Sequence, residues 1–566
     1  MCGIYAILLN YDTKINMSNV EKSFDKGKNR GPEFSKLVKH KNAIFGFHRL
    51  AINGLNEASN QPFDIEGILL ICNGEIYNYK LLYELMGVLP HTDSDCEVII
   101  HLYLKYGIEQ TLIMLDGVFA FVLYDQNKNK MFVARDPFGV RPLYQKIVQS
   151  NDGQPDVISF ASELKMLCDD GFNYIQQFQP GTYAYFNYDL WQSDAYNECH
   201  YIYWQEMSNK PYFIPAPPQT IPNIISYEMC VKMQNYYYQT ISKTLYDAVF
   251  KRCTTTDRPV ACLLSGGLDS SLIAAFVANH FRNEGKTIET YSIGLDGSED
   301  VKYAKIVADY IKSKHTEVIV TEDEMFNAIE EVIKAIESYD TTTVRASIGN
   351  YLIGKYISTH SDAKVIFNGD GSDELFGGYL YMNNCPDEIE FDKETRRLLN
   401  DIHMFDVLRS DKSISSNGLE PRTPFLDRNF VNNVLSIPTQ FRDHNKFKEL
   451  EKYLLRNTFA TFYEHTQNKQ ILQNEILFRR KEAFSDGVSC HGRSLFSILQ
   501  EKIALHYDKK NPDKVHTPSI ELEKQYYKEI FEKEFPNCLN VIPYYWMPKY
   551  TNASDPSART LDIYEK

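Results

Sequence analysis

The chain has 566 residues and a formal net charge of −15, a length that allows about two to four domains. Hydrophobic residues make up 43% and charged residues 24% of it, as in ordinary globular proteins, and no apolar run approaches the roughly 20 residues of a membrane span. The acidic balance argues against a nucleic-acid partner, for which clustered lysine and arginine would be expected.

The 11 cysteines are scattered and form no C-x-x-C pair. This distribution argues against a zinc or disulfide framework and fits a reducing compartment. We therefore expect a cytoplasmic protein that binds neither nucleic acid nor membrane.

The chain opens with MCGIYAILLN, which places a cysteine at position 2 ahead of a short apolar run. A signal peptide is not expected, because no basic region precedes the run and no small-residue cleavage site follows it. On position alone, the favoured interpretation is a buried strand with an ordinary core cysteine. The rest of the sequence has to decide between that interpretation and a functional one.

Residues 1 to about 205 are predicted to be rich in β-strands, separated by turn residues such as Asn73-Gly74 and Asp136-Pro137. Helical patterns interrupt them around 20–28 and 96–106. Because the sheet material is apolar on both faces in places, we expect helices to cover it. The predicted strands are 2–9, 43–50, 68–72, 118–124, 131–134, 157–161 and 182–186.

A proline-rich stretch at 211–222 indicates a linker or a loop insertion. We accordingly predict a first domain over 2–205, a linker over 206–239 and a second domain over 240–545. The polar residues 546–566 are predicted to form a loose tail.

From about residue 240, short apolar strands alternate with helical stripes. This alternation predicts βαβ units, a parallel sheet and right-handed crossovers. Ligands bind beyond the C-terminal ends of such strands, so the loops after Leu264, Ile293 and Phe367 are candidate sites. The predicted strands are 260–264, 288–293, 317–320 and 364–367, and the helical stripes cover 268–276, 304–311 and 326–336.

The stretch LLSGGLDSS (263–271) follows the first of these strands. Gly266 and Gly267 allow a tight turn with inward N–H groups, the next helix adds its positive N-terminal end, and Ser265 and Ser270 add hydroxyls. The pattern predicts an anion cradle, although it is not a Walker A loop. The alternative is a plain strand-to-helix turn capped by Ser265.

Asp269 would repel a phosphate in this cradle unless a bridging Mg²⁺ lay between them, and Mg²⁺ prefers carboxylate and phosphate oxygens. A second carboxylate is then expected nearby. The stretch NGDGSDELFGGY (368–379), which follows another strand, offers Asp370, Asp373 and Glu374. The alternative is an acidic solvated turn.

The stretches LSGGLDSS, TTTVRAS (341–347), GDGSDELFGGY and RRKEAFSDG (479–487) together resemble the synthetase domain of the glutamine-hydrolysing asparagine synthetase family. MCGI, RGPE, HRLAI, NGEIYN and SDCE, in that order, resemble its glutaminase domain. The resemblance extends from Cys2 to the DPSAR near the C-terminus. It implies a two-domain α/β protein, with an N-terminal four-layer αββα (N-terminal nucleophile) domain and a C-terminal doubly wound parallel α/β domain of the adenine nucleotide α-hydrolase type.

The resemblance implies that Met1 is removed, so that Cys2 carries both the nucleophilic thiol and an α-amine base. The oxyanion donors would be the Asn73 side chain and the Gly74 backbone N–H, on a turn where an N–H can point outward. Without the other motifs, Cys2 would remain a core cysteine.

Glutamine's charged ends would be bound by the same domain. Arg49 matches the residue that binds the α-carboxylate, and Asp95 together with Glu75 would hold the α-ammonium. Taken alone, Asp95 would be a helix cap and Arg49 a surface residue. The resemblance also implies an apolar tunnel that carries ammonia to the second domain.

In the second domain the resemblance implies ATP and aspartate as substrates, with adenylation to β-aspartyl-AMP and displacement of AMP by ammonia. Arg345 and Lys481 match cations at the α-phosphate, and Thr342 adds a hydroxyl. Asp370 matches an acid that receives the proton from ammonia. Mg²⁺ would be bound by Asp269 and Asp373. The ATP-binding positions implied are Leu263, Ser265, Gly266, Gly267, Asp269, Ser270, Ile293, Asn368 and Gly369.

The chain departs from the family at NGDGSDE, which is usually written SGEGSDE. Asn368 replaces a serine, and Asp370 replaces a glutamate that is one methylene longer, which shortens its reach by about 1.5 Å. Family members are often dimers, so a homodimer is one expected assembly.

Three alternative functions fit parts of the pattern. A β-lactam synthetase shares both folds, but the glutamine-site residues count against it. A glutamine- or nucleotide-sensing scaffold would not need complete acidic and cationic sets. A glutaminase with an inactive synthetase half is disfavoured by Asp269, Asp373 and Lys481 standing together.

Overall fold

A computed structural model describes most of the chain. Met1 and position 222 of the proline-rich stretch, which carry predictions, lie outside the described residues. Within the described ranges, no helix combines the length and apolarity needed to cross a membrane. The described residues are 2–9, 15–149, 155–168, 174–192, 199–221, 226–447, 449–461, 470–489, 492–562 and 564.

The N-terminal half is built on two six-stranded antiparallel sheets. Their strand orders are β10-β8-β9-β1-β3-β2 and β12-β11-β7-β6-β5-β4. The strands are β1 (Gly3–Leu9), β2 (Phe34–His40), β3 (Ala43–Arg49), β4 (Phe63–Ile65), β5 (Ile68–Ile76), β6 (Gly117–Asp125), β7 (Lys130–Arg135), β8 (Tyr144–Gln149), β9 (Pro155–Ala161), β10 (Tyr174–Gln177), β11 (Thr182–Gln192) and β12 (Cys199–Pro211).

Strand β1 explains the apolar run at the start of the chain, because both of its faces are buried. Ile4 and its alternate neighbours pack into the core between the two sheets, whereas Tyr5 and Ile7 pack towards α1 (Met17–Asp25) on the other side. Helices α2 (Tyr79–Met86) and α3 (Val98–Met114) cover the outer face of the second sheet. The four-layer αββα prediction is therefore confirmed.

All seven strands predicted in this half are present, but one turn prediction is wrong. Asn73 and Gly74 lie inside β5, where they pair with Ala120 and Phe119 of β6. Asn-Gly is typical of hairpin turns, yet here the glycine serves close strand packing. A Cβ at Gly74 would lie 2.6 Å from the Val118 carbonyl oxygen.

The C-terminal half contains a parallel sheet of order β15-β14-β13-β16-β17. The order reverses at β13, so the predicted doubly wound topology is confirmed. Loops at the carboxyl ends of β13 and β16 leave the sheet on either side of this switch point, which is where such folds bind ligands. The strands are β13 (Val260–Leu263), β14 (Glu289–Gly294), β15 (Lys314–Ile319), β16 (Val365–Phe367) and β17 (Glu420–Arg422).

Helices surround this sheet and form the remainder of the domain. They are α4 (Tyr227–Thr254), α5 (Leu268–Asn283), α6 (Glu299–Ile311), α7 (Glu322–Asn327), α8 (Ile329–Ile336), α9 (Thr341–His360), α10 (Ser372–Phe376), α11 (Glu388–Asp401), α12 (Asp406–Ser415), α13 (Arg428–Leu435), α14 (Thr439–Arg442), α15 (Tyr453–Thr461), α16 (Asn474–Leu477), α17 (Phe484–Gly487), α18 (Leu495–Lys510) and α19 (Ile520–Glu534).

Strand β17 has no apolar pattern in its sequence, Glu-Pro-Arg, and it was not predicted. Glu420 and Arg422 are nevertheless only 0% and 1% exposed. Charged side chains are rarely buried unless they are paired. These two are paired with each other and with charges of the N-terminal half.

The predicted linker or loop insertion and the predicted loose tail both pack against the second domain. In the proline-rich stretch, the Ala216 N–H donates to Asn432 Oδ1 (3.2 Å) and its carbonyl accepts from Arg396 (2.7 Å). Near the C-terminus, Trp546 and Asp555 are buried. The expectation of a loose tail over 546–566 is wrong for this part, because Asp555 is drawn inward by a buried arginine described below.

Candidate active sites

Cys2 is half-buried at the start of β1. Its backbone N–H donates to Asn73 Oδ1 (3.0 Å), its carbonyl accepts from Arg30 Nε (3.1 Å), and its thiol faces the Leu50 carbonyl at 3.8 Å. Burial raises the pKa of the Cys2 thiol, while the Arg49 guanidinium and the Leu50 contact oppose that rise. A cationic neighbour of this kind favours the thiolate that acts as a nucleophile.

Asn73 has an unused donor beside this thiol. Its Oδ1 accepts from the Cys2 N–H, whereas its buried Nδ2 has no hydrogen-bond partner among the residues that the structure describes. A buried donor without a partner is costly, so this N–H group is suited to a negative oxygen formed on a ligand.

Arg49 shapes the loop that follows β3. Its guanidinium donates to Asn60 Oδ1 (2.8 Å) and to the carbonyls of Asn56 (3.0 Å), Asn53 (3.2 Å) and Gly54. Arg49, which was predicted to bind a carboxylate, therefore lies near the Cys2 thiol. Its guanidinium donors are engaged by residues 53–60 of the loop.

Glu75 and Asp95 are buried side by side and share the Asn53 side-chain amide as a donor. Burial, strengthened by Asp95, raises the pKa of Glu75 well above its usual range. Burial also raises the pKa of Asp95 to about 6, although the Ile76 N–H donates to it at 2.6 Å. The positive charge around these two buried carboxyl groups is too small to offset their burial. An added ammonium group would therefore bind there favourably.

Charged residues of α12 and β17 join this site to the second domain. Asp411 lies 2.8 Å from Arg30 and 3.2 Å from Arg141. Arg422 lies 3.5 Å from Glu75 and also bonds to Glu420 of its own strand at 2.8 Å. The Cys2 site therefore lies directly against the C-terminal half.

The second site is a cleft at the switch point of the parallel sheet. Gly266 does not line it, but its φ of +71° forms the turn, and a Cβ there would lie 2.4 Å from the Ala304 nitrogen. The predicted residues that line the cleft are Leu263, Ser265, Gly267, Asp269, Ser270, Ile293, Thr342, Asn368, Gly369, Asp370, Asp373 and Lys481.

Two lysines neutralise the acidic pair in this cleft. Lys452 Nζ lies 2.5 Å from Asp269 Oδ2 and 2.7 Å from Asp373 Oδ1, and Lys481 Nζ lies 2.7 Å from Asp373 Oδ2. Burial alone would raise the pKa of Asp373, but the two ammonium groups lower it. The carboxylates already converge on one cation, so this donor set fits Mg²⁺ beside phosphate oxygens.

Asp370 lies 3.2 Å from the Arg409 guanidinium, and burial raises the pKa of its carboxyl despite that arginine. Lys452 and Arg409 were missed because no motif surrounds either of them. Arg479 was also missed, although it begins the quoted RRKEAF stretch. It donates to Asp300 at 2.8 Å. The three consecutive basic residues at 479–481 are a sequence signal that could have identified it.

The prediction for Arg345 needs correction. Its side chain is buried outside the residues that line the cleft, where it donates to Glu523 at 2.8 and 2.5 Å and to Asp555 at 2.7 and 2.8 Å. Four charge-assisted hydrogen bonds explain this position. Arg345 therefore connects α9 to α19 and the C-terminal segment.

Replacing Arg345 with methionine is expected to destabilise the protein by about 3–5 kcal/mol, because Glu523 and Asp555 would be left as buried, unpaired charges. Thermal and urea denaturation measure this loss. The matched control is Arg493→Met, which removes an exposed pair with Glu322 and should cost no more than about 1 kcal/mol. An unaltered melting curve together with lost AMP formation would instead support a direct role at the phosphate.

Comparison with known families agrees with this division. Residues 1–203 match the model of the glutamine amidotransferase domain, and residues 240–389 and 383–543 match that of asparagine synthase. The fold and sites define a glutamine amidotransferase joined to an ATP-using carbon–nitrogen ligase.

Curated relatives match the chain along its whole length. The "Asparagine synthetase [glutamine-hydrolyzing]" of Gallus gallus is 40% identical and that of Homo sapiens 38%, each with 100% of this chain and 99% of the relative covered. The chain belongs to the glutamine-hydrolysing asparagine synthetase family. A solved glutamine PRPP amidotransferase from B. subtilis, 16% identical with a TM-score of 0.30, covers 56% of this chain and 81% of its own, too distant a likeness to add to the argument.

Proposed function

We propose that this chain converts L-aspartate to L-asparagine, using ATP and ammonia released from L-glutamine, with L-glutamate, AMP and pyrophosphate as the other products. The observation that carries the proposal is the convergence of the glycine loop after β13 and the acidic loop after β16 on one cleft. The match to the family over the full chain supports the same activity.

In the first half, the thiol of Cys2 attacks the side-chain amide carbon of glutamine, and the free α-amine left by removal of Met1 takes the thiol proton. Asn73 Nδ2, which lacks another described partner, and the Gly74 N–H stabilise the oxyanion. The nitrogen leaves as ammonia, and water then releases glutamate from the thioester.

The same pocket recognises the charged ends of glutamine. Glu75 and Asp95 bind the ammonium group, and their raised pKa values favour a cationic partner. Arg49 attracts the α-carboxylate by its positive charge, and its guanidinium binds that group in exchange for part of its hydrogen bonds to the 53–60 loop.

In the second half, a carboxylate oxygen of aspartate bonds to the α-phosphorus of ATP and pyrophosphate leaves. Ammonia then bonds to the acyl carbon of β-aspartyl-AMP, AMP leaves, and Asp370 accepts the proton. Lys481 neutralises charge on the phosphates. Mg²⁺, held by Asp269 and Asp373, would supply further neutralisation of those phosphates.

Three finer statements belong to the proposal. The donor set of Asp269 and Asp373 favours a requirement for Mg²⁺, the scattered cysteines favour a cytoplasmic location, and the family resemblance favours a homodimer. Size-exclusion chromatography with light scattering tests the last, and a monomer at micromolar concentration would contradict it.

The direct test incubates the processed protein with aspartate, ATP and Mg²⁺, and with either glutamine or ammonium. We expect asparagine, AMP and pyrophosphate from both nitrogen sources, and loss of both reactions in EDTA while glutamate release persists. Formation of ADP would contradict the adenylation step. Glutamate release without asparagine would favour a glutaminase with an inactive second half.

Lowering the pH from about 7.5 to about 5 is expected to raise the KM for glutamine. Burial raises the pKa of Asp95 to about 6, so its carboxylate is ionised above that pH and loses its attraction for ammonium below it. The expected rise is about tenfold per pH unit below the pKa. Initial rates of glutamate release measure it.

Asp95→Asn should show a high KM that no longer depends on pH in this range. The matched control is Asp93→Asn, because Asp93 is an exposed carboxylate of the same loop. Its profile should match the parent protein. A parent KM that stays constant down to pH 5 would contradict the role of Asp95.

A further inference from the structure

Two histidines and a glutamate converge at the start of α3, outside both proposed active sites. Glu97 Oε1 lies 3.1 Å from His91 Nδ1 and 2.8 Å from His101 Nε2. One ligand atom from each of the three side chains lies within 4.8 Å of the others. The two imidazole rings lie nearly parallel, with centroids 5.5 Å apart.

Hydrogen bonds from the backbone hold the glutamate of this group in place. The N–H groups of His91 and Thr92 donate to its two carboxyl oxygens, each at 2.7 Å. A carboxylate fixed beside two imidazoles has the chemistry of a metal ligand set.

The spacing also suits a metal ion. Bonds of about 2.0–2.1 Å at tetrahedral angles place neighbouring ligand atoms roughly 3.3 Å apart. The two separations that involve Glu97, 2.8 and 3.1 Å, need to open by only a few tenths of an ångström, and the two imidazole nitrogens lie within 4.8 Å of each other. His91 is 59% exposed in its side chain, which gives an ion a path from solvent.

A nearby polar group supports the same interpretation. Tyr83 packs its ring edgewise on His101, with centroids 5.7 Å apart. The hydroxyl is buried and finds no hydrogen-bond partner within the described part of the chain. A water on a bound ion could be its partner.

We propose that His91, Glu97 and His101 form a binding site for a divalent transition ion, Zn²⁺ in the first instance, with a fourth position open to water. Two imidazoles and one carboxylate favour Zn²⁺ over Mg²⁺, which prefers an octahedron of oxygens. The site is separate from the Mg²⁺ of the proposed reaction. Ligation would fix the segment between the ligands, which includes Asp95.

The test titrates the full-length, chelator-treated protein with Co²⁺ and follows the visible absorption of the four-coordinate ion, with Zn²⁺ as competitor. We expect one equivalent of Co²⁺ to bind and Zn²⁺ to displace it. His91→Gln, which keeps the backbone N–H that bonds to Glu97, should weaken binding roughly tenfold or more. Zn²⁺ should raise the melting temperature of the parent protein more than that of this variant.

The matched control is His360→Gln, because His360 is an exposed histidine at the end of α9 in the other domain. It should bind Co²⁺ like the parent. Equal affinity in His91→Gln would overturn the proposal. So would a sulfur-to-cobalt charge-transfer band, which would assign the ion to cysteine thiolates.

Discussion

Replacing Cys2 with alanine is expected to abolish glutamine-dependent synthesis of asparagine, while synthesis from ammonium continues at close to the parent rate. The thiol is the only nucleophile that the proposal assigns to the glutaminase half, and loss of a nucleophile lowers turnover by about 10³-fold or more. None of the described residues that line the cleft after β13 and β16 belongs to this machinery. Asparagine, glutamate and AMP are measured for each nitrogen source.

The matched control for this variant is Cys230→Ala. Cys230 is a partly exposed free cysteine on α4, and its removal should leave both activities unchanged. Equal loss of the two activities in Cys2→Ala would refute the assignment of two separate sites. Retained glutaminase activity would show that another group is the nucleophile.

Replacing Lys481 with methionine is expected to lower the rate of AMP formation by about 10²–10³-fold with either nitrogen source. Methionine preserves much of the side-chain volume but removes the ammonium group that lies 2.7 Å from Asp373. Lys452 still neutralises that carboxylate, so the site keeps its acidic pair but loses a cation for the phosphates. Glutamate release should persist and serves as an internal measure of folding.

Lys533→Met is the matched control, because Lys533 is an exposed lysine, 72% accessible in its side chain, on α19. This variant should retain both half-reactions. A Lys481→Met protein that still forms AMP at the parent rate would exclude Lys481 from the phosphate site. Simultaneous loss of glutamate release would indicate a folding defect instead.

The sequence alone predicted the strands and helices that are determined by the pattern of neighbouring residues. Strand β1 and strands β13 to β16 carry apolar runs bounded by turn residues, and these runs are visible without knowledge of neighbours. Strand β2 was missed because it lies at a sheet edge, where three of its seven residues are exposed and none is buried. Strand β17 was missed because its burial depends on charges from distant parts of the chain.

The site residues divide in the same way. Loops such as 263–271 could be predicted, because their glycines permit a tight turn and the serine and aspartate beside them form a recognisable local pattern. Lys452 could not, because its partners Asp269 and Asp373 stand 183 and 79 positions away in the chain. Arg345 was predicted at the phosphate, but its partners Glu523 and Asp555 hold it elsewhere.

The burial of β17 has a consequence for attempts to separate the two halves. Arg422 contacts Glu75 of the N-terminal half, and Asp411 of α12 contacts Arg30 and Arg141. Cutting the chain between the sheets would expose these charges to water on both fragments and deprive each of its counterion. A chimaera that takes one domain from a distant relative would therefore fold correctly only if the acidic and basic residues on both sides of this interface came from the same parent.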